Sequence, residues 1–270
     1  MFVRILRYDS IDVSILIMGD SMRSKFARLI AAVLLLCSSH LVFAQELIVS
    51  AAASLSNAFK DVGEAFEKQN PGVKVTFNFA ASGVLLRQIE QGAPVDVFAS
   101  ADQATMDRAK DLIADSTRFD FARNTLVLIV PAGATQQPAK LEDLKESAYR
   151  TIAVGTPSSV PAGNYTQQVM QKEQLWSVLE PKFVFGENVR QVLQYVSRKE
   201  ADAGFVYGTD AALSANEVTV ALVVPTESAI TYPMAQIKAS DKPELAGKFM
   251  QFVVSEDGQK ILARYGFVSP

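Results

Sequence analysis

Apolar residues in this chain switch repeatedly between the short runs of a strand and the three-four spacing of a helix. β-like runs at Glu46 to Ala51, Val73 to Phe79 and Val95 to Ala99 are each followed by a helical pattern. Strands that alternate with helices in this way imply βαβ units around parallel sheet. The first helix, Leu55 to Lys68, sets Leu55, Ala58, Phe59, Val62 and Phe66 on one stripe that can pack on a sheet. Asn70-Pro71-Gly72 stops it. After Pro131-Ala132-Gly133 the alternation resumes, with strands at Thr151 to Val154 and Ala203 to Tyr207. Two more helices follow, one with the stripe Val189, Val192, Leu193 and Val196, the other, Lys242 to Val254, with Leu245, Phe249, Phe252 and Val253.

A chain of 270 residues is expected to form two α/β lobes of about a hundred residues each once an N-terminal segment is set aside. Two long apolar runs, Asn124 to Pro131 and Val218 to Pro225, flank the middle hundred residues. Such a pair either carries the chain out to a second lobe and back or forms two buried strands of one sheet; the pattern leaves both open.

The single Cys and the single His, Cys37 and His40, both fall near the N-terminus. Arg23, Lys25 and Arg28 precede the apolar run Leu29 to Leu36, and Val42-Phe43-Ala44 supplies small residues for a signal peptidase, so a secretory signal cleaved after Ala44 is expected. The run is far shorter than the ~20 apolar residues that span a bilayer. Bulky Leu36 in front of Cys37 disfavours lipoprotein processing. Asp9, Asp12 and Asp20 fit no signal, and translation is expected to start at Met22. Cleavage after Ala44 leaves 226 residues and removes five basic and three acidic side chains from totals of 26 and 29, so 21 basic face 26 acidic, a net charge of −5. With no Cys and no His left, thiol chemistry, His-based metal sites and a Ser-His triad are excluded. The acidic balance argues against a nucleic acid partner.

Four strand-to-helix junctions carry small or hydroxyl residues where the NH groups of a helix's first turn lack intrahelical acceptors: Ser54, Ser82-Gly83, Pro161-Ala162-Gly163 and Glu187-Asn188-Val189. Helix N-termini bind anions through those NH groups and the positive end of the helix dipole. Four converging junctions would form a site for a tetrahedral anion with no Lys or Arg. Taken singly, each residue has a plainer role. A Ser before a helix usually caps it, and Tyr207 is by default a half-buried Tyr that satisfies its own hydroxyl. Asp96 and Asp102 are by default a strand-end and a helix-start residue, and Arg87 and Arg190 surface or ion-pair residues. The chain has no GxGxxG, no GxxxxGK[ST] and no GxSxG. An exported hydrolase using Ser54 or Ser82 with a Lys base is therefore disfavoured, and a purely structural or adhesive role is the other alternative.

The wording of these junctions resembles the periplasmic molybdate-binding proteins of ABC transporters. The matching strings, in order, are AAASLSNAF (Ala51 to Phe59), FAASGVLLRQIEQGAPVDVFASAD (Phe79 to Asp102), VGTPSSVPAGNY (Val154 to Tyr165), GENVRQVL (Gly186 to Leu193) and GFVYGTDA (Gly204 to Ala211). The resemblance implies an α/β, two-lobed periplasmic binding protein fold of type II. Its ligand cleft would lie between a lobe of residues 45–125 plus 226–270 and a lobe of residues 126–225, with the two apolar runs as crossovers. It implies no enzyme, no cofactor and a monomer that binds molybdate or tungstate and delivers it to an inner-membrane ABC permease, with sulfate as the alternative ligand. It implies that Ser54 and Ser82 donate through hydroxyl and NH, Ala162 and Val189 through NH, and Tyr207 through its phenol, with no side chain ligating molybdenum itself.

Overall fold

The computed structural model describes residues 45–270; the expected signal, the Met22 start, and Cys37 and His40 lie outside the described residues. In chain order the strands are β1 (Gln45–Ala52), β2 (Val73–Ala80), β3 (Val97–Ala99), β4 (Phe119–Asn124), β5 (Leu126–Pro131), β6 (Ile152–Gly155), β7 (Phe183–Gly186), β8 (Ala203–Tyr207), β9 (Val218–Val224) and β10 (Ile230–Gln236). They form two five-stranded sheets, ordered β2-β1-β3-β10-β4 and β7-β6-β8-β5-β9, one to each lobe of the fold.

Each sheet has a parallel part and an antiparallel part. In the first, β1 lies parallel to β2 and β3, and β10 runs antiparallel to β3 and β4. In the second, β6 lies parallel to β7 and β8, and β5 runs antiparallel to β8 and β9. The register brings Ala51 opposite both Phe79 and Ala99, and Gly155 opposite Gly186. The parallel strands therefore finish almost level, and the turns that follow them crowd one edge of each sheet, where ligands of open α/β folds bind.

The helices are α1 (Ser56–Gln69), α2 (Ser82–Glu90), α3 (Gln103–Arg108), α4 (Pro161–Lys172), α5 (Trp176–Leu179), α6 (Val189–Ser197), α7 (Gly208–Leu213), α8 (Pro243–Val254) and α9 (Glu256–Arg264). The stripe expected for the first helix is buried along its whole length. Its Phe59 and Phe66 meet Phe249 of α8 edge-on, with ring centroids 6.2 and 5.4 Å apart. Asn70 closes α1 by donating its side-chain amide to Phe66 O at 2.8 Å, and Gly72 takes the left-handed turn, φ 89°, into β2. A 3-10 turn, Ala53–Leu55, precedes α1, so Leu55 belongs to the turn and the helix starts one residue later than its pattern suggests.

The run Asn124 to Pro131 is divided. Asn124 ends β4 in the first sheet and Leu126 begins β5 in the second. The two long apolar runs pair with each other inside the second sheet, Leu126 opposite Val224, while Asn124 pairs with Ile230 in the first. The runs are thus adjacent strands of one sheet, and the chain crosses between sheets at Thr125 and again over residues 225–229, side by side. β4, β7, β10, α5 and α9 are elements that the apolar pattern did not single out. No helix among the described residues is long and apolar enough to cross a membrane.

Candidate functional site

The facing edges of the two sheets enclose a cavity of roughly 10 Å³, measured as the space open to the centre of a water molecule. Ser54, Ser82, Ala162, Val189 and Tyr207 all line it, together with Ala101 and other small residues, and no lining residue is charged. Space on this scale is about what one small polar molecule the size of water needs; an amino acid or a sugar does not fit.

Neither serine caps a helix. Ser82 is the first residue of α2, behind Ala81, which has extended backbone and no side-chain cap. The Ala101 N–H donates to Ser82 Oγ at 3.0 Å, so the serine's own proton is free to point elsewhere. Ser54 sits in the 3-10 turn after β1, and its Oγ lies 3.0 Å from Tyr232 Oη. Both serines are buried, where a hydroxyl that finds no partner is costly.

The backbone donors come from helix starts. Pro161 opens α4, with no side-chain cap from Val160. The first intrahelical bond there runs from Asn164 N to Val160 O, 3.0 Å, which leaves the Ala162 NH ahead of the ladder. Gly163 fixes that helix against β6, since a Cβ there would collide with the Gly155 carbonyl oxygen. At α6, Asn188 Oδ1 accepts from the NH groups of Arg190 (2.9 Å) and Gln191 (3.0 Å). The cap thus serves the second and third NH groups, and Val189, the first residue of the helix, faces the cavity. Pro161-Ala162-Gly163 accordingly lies within its helix's first turn, not before it.

Tyr207 ends β8 and is buried, where half-burial was its default. Its phenol donates to Ala101 O at 3.3 Å, across to the other lobe. Burial raises its pKa well above 10, with smaller contributions from neighbouring tyrosines and acids, so the phenol stays a donor in the working range. Ala101 thus ties together Ser82 and Tyr207 from opposite sides of the cavity, a role no motif disclosed.

Around this neutral site the lobes touch through polar contacts. Gly83 N–H donates to Ser159 O at 3.0 Å, and a Cβ on Gly83 would come within 2.8 Å of Ser159 Cα and O. Arg190 reaches from α6 to the first lobe, donating to Asn57 Oδ1 at 2.9 Å and to Ser54 O at 3.1 Å. Its Nε lies 2.5 Å from Oδ1 of the fully buried Asp210, an ion pair bent away from linear hydrogen-bond geometry. Burial pushes the Asp210 carboxyl up to about 6, opposed by the Arg190 charge and by the Tyr207 N–H. Arg190 is therefore an ion-pair residue, Arg87 is exposed, and neither lines the cavity. Asp102 caps α3 by accepting from Thr105 N at 3.1 Å. Asp96, one residue before β3, accepts from Ile48 N at 2.7 Å and Ser240 Oγ at 2.6 Å.

A family model described as bacterial extracellular solute-binding protein matches residues 47–268. The chain is 37% identical over 226 residues to the molybdate-binding protein ModA of Haemophilus influenzae, covering 81% of this chain and 88% of that protein. It is 37% identical over 230 residues to ModA of Escherichia coli, with coverage of 82% and 88%. Among solved structures it is similar to the periplasmic molybdate-binding protein of Azotobacter vinelandii, with a TM-score of 0.72 at 25% identity over 83% of this chain and 99% of that one.

Proposed function

The chain belongs to the bacterial extracellular solute-binding proteins, a family of transport proteins, and from that premise we propose that it binds molybdate and tungstate in the periplasm and delivers them to an inner-membrane ABC permease. Residues 45–125 with 226–270 form one lobe and residues 126–225 the other, and a monomer closes them over the anion. One observation carries this reading: Ser54, Ser82, Ala162, Val189 and Tyr207, drawn from both lobes, line a single small cavity with no charged residue.

Hydroxyls and helix-start NH groups are donors, and a fully ionised tetrahedral dianion presents only acceptors. The anion's charge is met by dipoles and needs no cation in contact. Phosphate, partly protonated near neutral pH, brings an OH that meets another donor and is rejected. Sulfate presents the same charge in a smaller tetrahedron, so pocket size must exclude it. A catalytic role lacks support, since the partners of the serine hydroxyls are the Tyr232 phenol and the Ala101 N–H, and neither can serve as a general base.

Isothermal titration tests the proposal. Molybdate and tungstate should each bind at one site per chain, and Ser82→Ala should weaken molybdate by about 1 to 3 kcal/mol, the worth of a hydrogen bond to a charged group with its partner left unpaired. Unchanged binding in that variant would remove Ser82 from the site.

A further inference from the structure

Behind the cavity wall lies a chain of hydrogen bonds whose direction can be worked out. The Thr125 N–H donates to Asn124 Oδ1 at 2.9 Å, which fixes the amide's oxygen and turns its NH₂ the other way. That NH₂ donates to Thr209 Oγ1 at 2.9 Å and to Tyr232 Oη at 3.2 Å. Tyr232 is fully buried, and its remaining polar neighbour is Ser54 Oγ at 3.0 Å. If Ser54 donated to Tyr232, the phenolic proton would be left without an acceptor inside the protein, the costly arrangement for a buried donor. The relay therefore runs from Asn124 to Tyr232 to Ser54, and the Ser54 proton is directed away from Tyr232, toward the cavity that Ser54 lines.

We propose that Asn124 and Tyr232, neither of which lines the cavity, are positioning residues that hold the Ser54 hydroxyl as an obligate donor and so make the site refuse oxyanions that carry a proton. The inference rests on the reading of the cavity as an oxyanion site. A serine hydroxyl is by itself donor and acceptor; left free, it could turn and accept the OH of a hydrogen phosphate. With one lone pair taken by the Tyr232 proton, the Ser54 proton has no other partner among the described residues; turning the second lone pair to the ligand would leave that buried proton unpaired, so the hydroxyl donates and a protonated oxygen meets a second proton. Burial holds the Tyr232 phenol well above its usual pKa, reinforced by the Asp210 charge and opposed by its bonds to Ser54 and Asn124, so the relay keeps its proton across the working range. Asn124 also stands where the chain passes from the first sheet to the second and bonds Thr209 at the start of α7. The relay is thus anchored in both lobes.

The test is competition against molybdate by phosphate and by sulfate, two tetrahedra of similar size that differ in protonation, on the full-length protein at one pH. In Tyr232→Phe, Ser54 no longer receives a proton; in Asn124→Asp a carboxylate oxygen beside Tyr232 Oη takes the phenolic proton, and the phenol can then accept from Ser54. Both variants should improve phosphate relative to sulfate by about tenfold, the effect of one hydrogen bond changed from repulsive to formed. In a Ser54→Ala background, Tyr232→Phe should change that ratio no further. Asn124 is only half-buried, so its variant keeps the test open if the tyrosine variant folds poorly. A general loss of packing would weaken both anions alike and leave the ratio where it was, which would overturn the proposal. Failure of the unaltered protein to bind molybdate would instead remove the oxyanion reading itself.

Discussion

At the scale of single residues, the site depends on groups kept from their ordinary work. Ser54 and Ser82 would cap helices in most settings, yet here Ala81 and Leu55 stand at the caps and the hydroxyls are turned inward. Asp210 is the one buried acid beside this neutral site with a raised pKa, and its titration gives a prediction with a definite sign. Its carboxyl, raised to about 6 from 3.8 by burial, binds its proton more tightly folded than unfolded. The stability it contributes is complete below the unfolded value and is lost as pH rises through about 6. Urea unfolding of the protein and of Asp210→Asn between pH 4 and pH 7 should therefore show the unaltered protein losing ground to the variant as pH rises; a gap that widens in its favour would mean that the Arg190 pairing outweighs burial. The five expected residues that line the cavity were legible because each sits in one of the local strings that carry the resemblance. The relay was not, because Tyr232 lies 178 residues from Ser54 and 108 from Asn124 in sequence, a proximity only the folded sheet creates.

At the scale of elements, the helices that face the cavity are held by glycines that bring backbone against backbone. Gly83 lets the start of α2 meet the loop before α4, where its NH bonds Ser159 O. Alanine within a helix is ordinarily worth about 0.5 to 1 kcal/mol over glycine, so Gly83→Ala should leave the ligand-free protein as stable as before or more so. Its Cβ would come within 2.8 Å of Ser159 Cα and O in this arrangement of the lobes, which the proposed function takes as the ligand-bound one, and molybdate affinity should fall about tenfold or more, as a difference of ~1.4 kcal/mol or greater requires. Equal affinity by titration would show that the lobes do not close as described. Elements with a clean stripe, such as α1, α6 and α8, were readable from spacing alone. β10 was not, because Pro233 interrupts it at a register shift after Tyr232 and a proline inside a run argues against a strand. β4 alternates charged residues with apolar ones over a short span, and β7 has only four residues, too few to establish a period.

At the scale of the whole molecule, two sheets are joined by two adjacent crossings, at Thr125 and residues 225–229, and the residues that line the cavity divide between them. Size and alternation foretold two α/β lobes. They did not foretell that the apolar runs pair within one sheet, because hydrophobicity records burial and not which neighbour provides it. An acidic chain offers a dianion no long-range attraction; on the proposed function, the anion is held by short-range donors and three helix starts, those of α2, α4 and α6. Thermal unfolding of the purified protein with molybdate, tungstate, sulfate and phosphate in turn tests that claim most directly. A ligand bound only by the folded state adds about 2.7 kcal/mol at a hundredfold excess over Kd, roughly 5 to 10 °C for a chain of this size. The midpoint should rise with molybdate and tungstate and stay fixed with phosphate; a rise with phosphate equal to that with molybdate, or no rise with any of the four, would contradict a donor-only site for ionised oxyanions.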